Sequence, residues 1–193
     1  MYGSMQQSTA RRVEIQEMAL VGLFTAVVVA MALVPPITLP LSPVPITLQT
    51  LGVMLAGCVL RPRAAALSLV VFLLLMVAGA PVLPGGRGGA SYLFGPTGGY
   101  LLSWPLAAWA IALFTRRFPG RFWGYLLANV LGGMLLVYAI GVPVLAAVAG
   151  LSFRQAVISG ALLYVPGDLL KAAAAAALAL ELRRRYPVPR PKR

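Results

Sequence analysis

The stretch Gly160–Arg185, GALLYVPGDLLKAAAAAALALELRRR, decides how the rest of the chain is read. It is almost wholly apolar, yet it holds the sequence's only aspartate, Asp168, and one of its two lysines, Lys171. An ionised side chain at a bilayer centre costs about 2.5–3.5 kcal/mol on insertion scales and is tolerated where it pairs or faces a cavity. The i, i+3 spacing puts Asp168 and Lys171 on one face of a helix. Pro166-Gly167 weakens the helix just before them, although proline suits a first helical turn. Asp168 lies about 15 residues, or roughly 22 Å of helix, from Arg183. If Arg183-Arg184-Arg185 marks one edge of a hydrocarbon core about 30 Å thick, the acid–base pair sits in the far third, near the opposite surface. Two readings of the pair stay open: an ion pair that neutralises itself to permit insertion, or two groups lining a cavity.

Composition supports a membrane setting. Of 193 residues, 60% are hydrophobic and 10% charged, with a mean hydropathy of +0.89. Soluble domains carry about 25% charged residues. The sequence contains no histidine and a single cysteine, Cys58. Histidine catalysis, a Ser-His-Asp triad, an internal disulfide and a cysteine-cluster metal site are thereby excluded, and no catalytic or metal-ligating residue is assigned. Cys58 reads as a small packing residue. The net charge of +12 is not spread as a nucleic-acid footprint. It falls in short clusters between apolar runs, at Arg11-Arg12, Arg61/Arg63, Arg116-Arg117/Arg121 and from Arg183 onward, as topology determinants do under the positive-inside rule. No nucleic-acid partner is expected. No cleavable signal peptide is expected either, since the first apolar run is not followed by a small-residue cleavage site.

The first apolar segment, Met18–Val34, repeats small residues at Gly22, Ala26 and Ala30, a smooth stripe along which another helix can approach. Packing inside the bundle and docking of a separate membrane subunit both account for it. Pro35–Pro45, PPITLPLSPVP, is a stiff, non-helical connection. Segment two runs from about Ile46 to Leu60, with Thr47, Gln49 and Thr50 in its first turns; the Gln49 amide can donate and accept, which suits a ligand contact or an amide satisfied within the helix end. Segment three is Ala64–Ala78. The loop Val82–Pro96, VLPGGRGGASYLFGP, surrounds Arg87 with glycines, allowing close approach to an anionic group; a flexible solvated loop with a stray charge is the plainer alternative. Its spacing does not match a Walker A loop, so ATP binding is rejected. Segment four covers about Thr97–Thr115 and segment five about Phe122–Ile140, with a break suggested at Gly141-Val142-Pro143. Ser152 and Gln155 have capping-box spacing and offer a second possible start for the last helix.

Connections 2–3 and 4–5 and both termini are basic, whereas connection 1–2 has no charge and connections 3–4 and 5–6 have one arginine each, Arg87 and Arg154. The simplest topology is an all-α membrane protein of six transmembrane helices with both termini cytoplasmic. The chain is then a single membrane domain over 1–193, with a cytoplasmic N-terminal segment at 1–17 and a cytoplasmic basic tail at 186–193. The Pro/Gly-rich connections all face outside, on the same side as Asp168 and Lys171.

Three stretches carry a family resemblance: PVPITLQTLGVMLAG (Pro43–Gly57), GAPVLPGGRGGASYLFGPTGGYLLSWPLAA (Gly79–Ala108) and VPGDLLKAAAAAALA (Val165–Ala179). Together they resemble the BioY family, the biotin-specific substrate-binding (S) components of energy-coupling-factor (ECF) transporters. The resemblance spans nearly the whole chain. It implies a six-helix S-component fold in a prokaryotic plasma membrane and an outward-facing pocket for one biotin. It also implies partnership with a transmembrane T component and a pair of ABC-type ATPases. Asp168 and Lys171 match the acid and lysine of the family's last-helix motif, Arg87 fits its polar loop between helices three and four, and Gln49 matches its LQT segment. Some members have an asparagine near that arginine, whereas this chain has Gly85-Gly86. The stripe Gly22, Ala26, Ala30 resembles the T-component docking motif.

Biotin offers two ureido N–H donors and a carbonyl, an apolar thioether ring and a carboxylate. An aspartate accepts and a lysine donates, so Asp168 and Lys171 are expected at the ring end and Arg87 at the carboxylate. Tyr92, Phe94, Trp104 and Tyr164 are expected to enclose the ring and chain. Biotin is then a transported ligand; no cofactor and no enzymatic activity are expected. A self-sufficient secondary transporter is the alternative function, although such proteins commonly show duplicated halves and the sequence shows no internal repeat. An intramembrane enzyme lacks a nucleophile–base pair to accompany Asp168 and Lys171.

Overall fold

A computed structural model describes residues 2–40 and 42–185, with side chains described from residue 14 onward. The basic tail expected at 186–193 lies outside the described residues. Among the described residues the secondary structure is helical, apart from isolated bridges at Ile37–Ile46 and Leu83–Arg87. We number the helices α1 (Tyr2–Ala30), α2 (Gln49–Val59), α3 (Pro62–Val77), α4 (Gly98–Thr115), α5 (Phe122–Ala149) and α6 (Phe153–Arg185). Among the described residues, four stretches are long and apolar enough to cross a membrane: Glu14–Leu33, α4, α5 and α6; α2 and α3 are shorter apolar helices.

Burial fixes the layout. Two thirds of the α4 span (67%) is buried, against 22% of the α1 span, so α4 is central and α1 peripheral. Around α4 lie α2, α3 and α5, and α1 leans on α2 and α3. At the basic end of the bundle, Arg61 meets Glu17 in an ion pair that ties α1 to the α2–α3 connection. α6 packs against α2 and α5, and its Ala172, Ala175, Ala176 and Ala179 are fully buried. Alanine at i, i+3, i+4 and i+7 combines high helix propensity with a surface low enough for close packing. The alanine run is thus an interhelical seam.

Two helices run further than the sequence suggested. α5 does not end near Ile140; it continues through Pro143 to Ala149 and closes at Gly150, whose φ of 64° is left-handed. Glycine at that position removes the Cβ penalty of a left-handed cap. α6 begins at the second of the two possible starts. Ser152 Oγ accepts from the Gln155 N–H at 3.3 Å, and Gln155 Oε1 accepts from the Ser152 N–H at 3.0 Å. This is the reciprocal capping box. Ser152→Ala is expected to lower stability by about 1 kcal/mol, read as a lower unfolding temperature of the purified protein in detergent with unchanged ligand affinity.

Each of the two long helices contains one π-helical stretch, Asn129–Leu135 in α5 and Ile158–Leu162 in α6. In the first, the fully buried Asn129 donates from Nδ2 to Ala172 O at 3.0 Å and accepts from Cys58 Sγ at 3.2 Å. Cys58 therefore packs as expected and also satisfies an amide that links α2, α5 and α6. Wide turns of this kind interrupt regular hydrogen bonding and occur often at functional sites. Here both border the same hollow, to which they contribute Gly133 and Gly160.

Candidate functional site

The hollow has a volume of about 420 Å³, within the range of small-molecule sites. Its depth follows from helix lengths. α2 has 11 residues, so Gln49 and Thr50 stand only about 16 Å above the basic end of the bundle. Lys171 is about 18 Å above Arg183 by the same rise of 1.5 Å per residue. The floor thus lies above mid-height of a layer about 30 Å deep, Lys171 a little above the middle and Asp168 about one turn higher, and α2 is shorter than the sequence reading of Ile46–Leu60. The reason is Pro45 and the extended pairing of Ile46 with Ile37, which hold the chain out of the helix until Leu48.

The proline-rich connection forms one wall. Ile37 and Ile46 exchange backbone hydrogen bonds, both 2.9 Å. The Tyr164 hydroxyl meets Ser42 Oγ and Val44 O, each at 2.5 Å, so α6 holds this loop over the cavity. The glycine-rich connection forms the facing wall. Leu83 and Arg87 pair backbone to backbone around Gly85 and Gly86, whose φ values of 79° and 70° suit glycine alone without strain. A Cβ on Gly88 would lie 2.1 Å from Ala80 O. Together these constraints hold Arg87 at the cavity mouth, exposed, with no side-chain partner among the described residues.

At the floor, Asp168 and Lys171 are joined at 2.9 Å, with side-chain exposures of 9% and 13%. They do pair, but a hollow lies beside them and both line it. Tyr138 on α5 donates to Asp168 Oδ2 at 2.5 Å, and Lys171 Nζ donates to Thr50 Oγ1 at 3.0 Å. Gln49, only 1% exposed, donates from Nε2 to Val28 O at 3.2 Å and Val82 O at 3.0 Å. Its amide nitrogen therefore joins α1, α2 and the glycine-rich loop.

The cavity brings together Asp168, Lys171, Arg87, Gln49 and Tyr92 from three separated stretches of sequence, with Trp104 and Tyr164 among the apolar lining. Phe94 does not join them. It follows the short 3₁₀ turn Ala90–Leu93, points outward and is 81% exposed. Tyr100 and Tyr138 take part instead, Tyr100 by donating to Gly160 O at 2.8 Å. Nothing distinguished these tyrosines in sequence, since a tyrosine in an apolar run is ordinary. The stripe Gly22, Ala26, Ala30 does not line this cavity. All three residues are exposed on the outer face of α1, and a Cβ on Gly22 would meet nothing within 4 Å. Packing inside the bundle is therefore not what the stripe serves.

The family model described as "BioY family" matches residues 5–188. The "Probable biotin transporter BioY" of Bacillus subtilis is 46% identical over 160 residues, covering 82% of this chain and 86% of that protein. The "Biotin transporter BioY" of Rhizobium etli is 40% identical over 180 residues, covering 90% and 96%. Among solved structures, the S-component for biotin from an ECF-type ABC transporter superposes with a TM-score of 0.84 at 31% identity, covering 89% of this chain and 92% of that one.

Proposed function

The chain belongs to the BioY family, and on that footing we propose that it is the biotin-capturing S component of an ECF-type importer. The observation that carries this reading is the buried Asp168–Lys171 pair on the floor of a cavity of about 420 Å³. An acceptor–donor pair beside an apolar hollow suits a ligand with a polar ring, and biotin has one. Asp168 and Lys171 hold the ureido end; Arg87, at the mouth, attracts the carboxylate. Gln49 Oε1 and Tyr92 complete the contacts. Charge-assisted bonds of this kind contribute about 1.5–3 kcal/mol each.

In this reading all six helices belong to a plasma-membrane domain with residues 1–17 and 186–193 on the cytoplasmic side. The two short helices reach only part of the way, and the loops above them form the outward-facing cavity. The positive charges at Arg61, Arg63, Arg116, Arg117 and Arg121 support that orientation. Import then depends on a T component and a pair of ABC-type ATPases, with Gly22, Ala26 and Ala30 as the face presented to the T component. Uptake of labelled biotin into proteoliposomes, with and without those partners and ATP, tests the assignment. Strict dependence on them supports it. Uptake by the lone chain under an ion gradient would instead make it a secondary transporter, and conversion of the ligand would make it an enzyme.

The docking face gives a separate expectation. Ala26→Leu adds bulk to an exposed, smooth surface, which impairs close helix approach without touching the cavity. Biotin affinity of the isolated protein is expected to stay within twofold, while ATP-driven uptake by the assembled transporter falls about fivefold or more, a loss of roughly 1 kcal/mol in association. Equal uptake by variant and wild type would remove this face from the docking surface.

A further inference from the structure

Four polar side chains on three helices form one continuous row along the cavity: Tyr138 on α5, Asp168 and Lys171 on α6, and Thr50 on α2. The row has a direction. A phenol has one proton, and that of Tyr138 is directed to Asp168 Oδ2 at 2.5 Å. The tyrosine oxygen can then only accept from a ligand. Lys171 directs two of its three N–H bonds to Asp168 Oδ1 and Thr50 Oγ1, which leaves one. Thr50 Oγ1 already accepts from an ammonium, and its own proton is free to be donated. Acceptors therefore stand at the α5 end of the row and donors at the α2 end.

Resting on the biotin reading above, we infer that Tyr138 and Thr50 are ligand-reading groups and that the row fixes which way a cyclic urea lies. One ureido N–H faces Tyr138 and Asp168, and the adjacent carbonyl faces Lys171 and Thr50. The site thereby selects rings that carry N–H and C=O side by side, and discriminates against isosteric rings lacking either, because a buried polar group would be left unpaired.

Calorimetric titration of the purified full chain in detergent tests this, with wild type, Tyr138→Phe and Thr50→Val each titrated against biotin and three isosteric analogues. Two are cyclic carbamates in which one or the other ureido N–H is replaced by oxygen, and the third is the thione in which sulfur replaces the carbonyl oxygen. Tyr138→Phe is expected to weaken biotin about five- to tenfold, the range of one neutral hydrogen bond, and to cause no further loss against one of the two carbamates. Thr50→Val is expected to weaken biotin by a similar factor and to cause no further loss against the thione, with Thr50→Ser restoring wild-type affinity. Variants within twofold of wild type for biotin, or a loss of the same size against every analogue, overturn the inference while leaving biotin capture intact. A wild-type chain that does not bind biotin overturns both.

Discussion

Asp168→Asn is expected to weaken biotin binding by more than tenfold while leaving the cavity walls in place. Asparagine keeps the shape of aspartate but changes two things at once. One acceptor oxygen becomes an NH₂ donor, which opposes both the Tyr138 hydroxyl and any ligand N–H. Lys171, 13% exposed and bonded to Asp168 at 2.9 Å, also loses its counter-charge. Removing one partner of an enclosed pair penalises the other, since the remaining charge is then uncompensated. Loss of one charge-assisted bond, about 1.5–3 kcal/mol, corresponds to roughly 10- to 150-fold in affinity. Calorimetric titration reads the change directly. Affinity unaltered by the substitution would take Asp168 out of the site, and with it the reading of the last helix.

Gly57→Val is expected to destabilise the fold by about 3 kcal/mol, at the upper end of overpacking effects. Gly57 sits where α2 crosses α4. A Cβ there would lie 2.6 Å from Ile111 Cβ and 2.9 Å from Ala108 O. Ile111 is fully buried and branched at the offending atom, and the Ala108 carbonyl is backbone, so neither can swing aside. The two helices would have to separate, which also disturbs Gly132 and Gly133, packed against Ile111 and Met54. The same substitution at Gly22, where an added Cβ meets nothing within 4 Å, serves as the control and is expected to leave the isolated protein's unfolding temperature nearly unchanged. Equal behaviour of the two variants would mean that α2 and α4 do not approach closely at Gly57.

These two effects differ in how visible they are from sequence. Asp168 and Lys171 stand out because charge is rare in an apolar run, and Arg87 because glycines isolate it. Their common location followed from charge placement between segments. The partners of the pair were hidden: Tyr138 is an aromatic residue among apolar ones, and Thr50 is one of several hydroxyls near a helix start. Only the three-dimensional approach of α2, α5 and α6 selects them. Gln49 was visible as a candidate, but the two carbonyls that receive its amide come from Val28 and Val82, distant in sequence. Helix limits were legible where a strong local signal exists, as in the Ser152–Gln155 capping box. They were misleading at Gly141-Val142-Pro143, because a proline weighs against helix locally whereas packing around α5 sustains it. The π-helical stretches left no trace in the apolar periodicity.

The shortness of α2 has a consequence for how such a protein can be stabilised. A helix of 11 residues rises about 16 Å, little more than half of a hydrocarbon layer about 30 Å deep. The rest of that height is made by irregular chain rich in proline, whose carbonyls and amides lack the self-contained pairing a lipid environment demands. Such backbone persists at depth only beside enclosed protein or a wetted space. The void supplies such a space on the side of the loop that lines it. Plugging it with bulky aliphatic side chains, a standard route to thermostability in water-soluble folds, would here strip solvent from the loop and work against the intended gain.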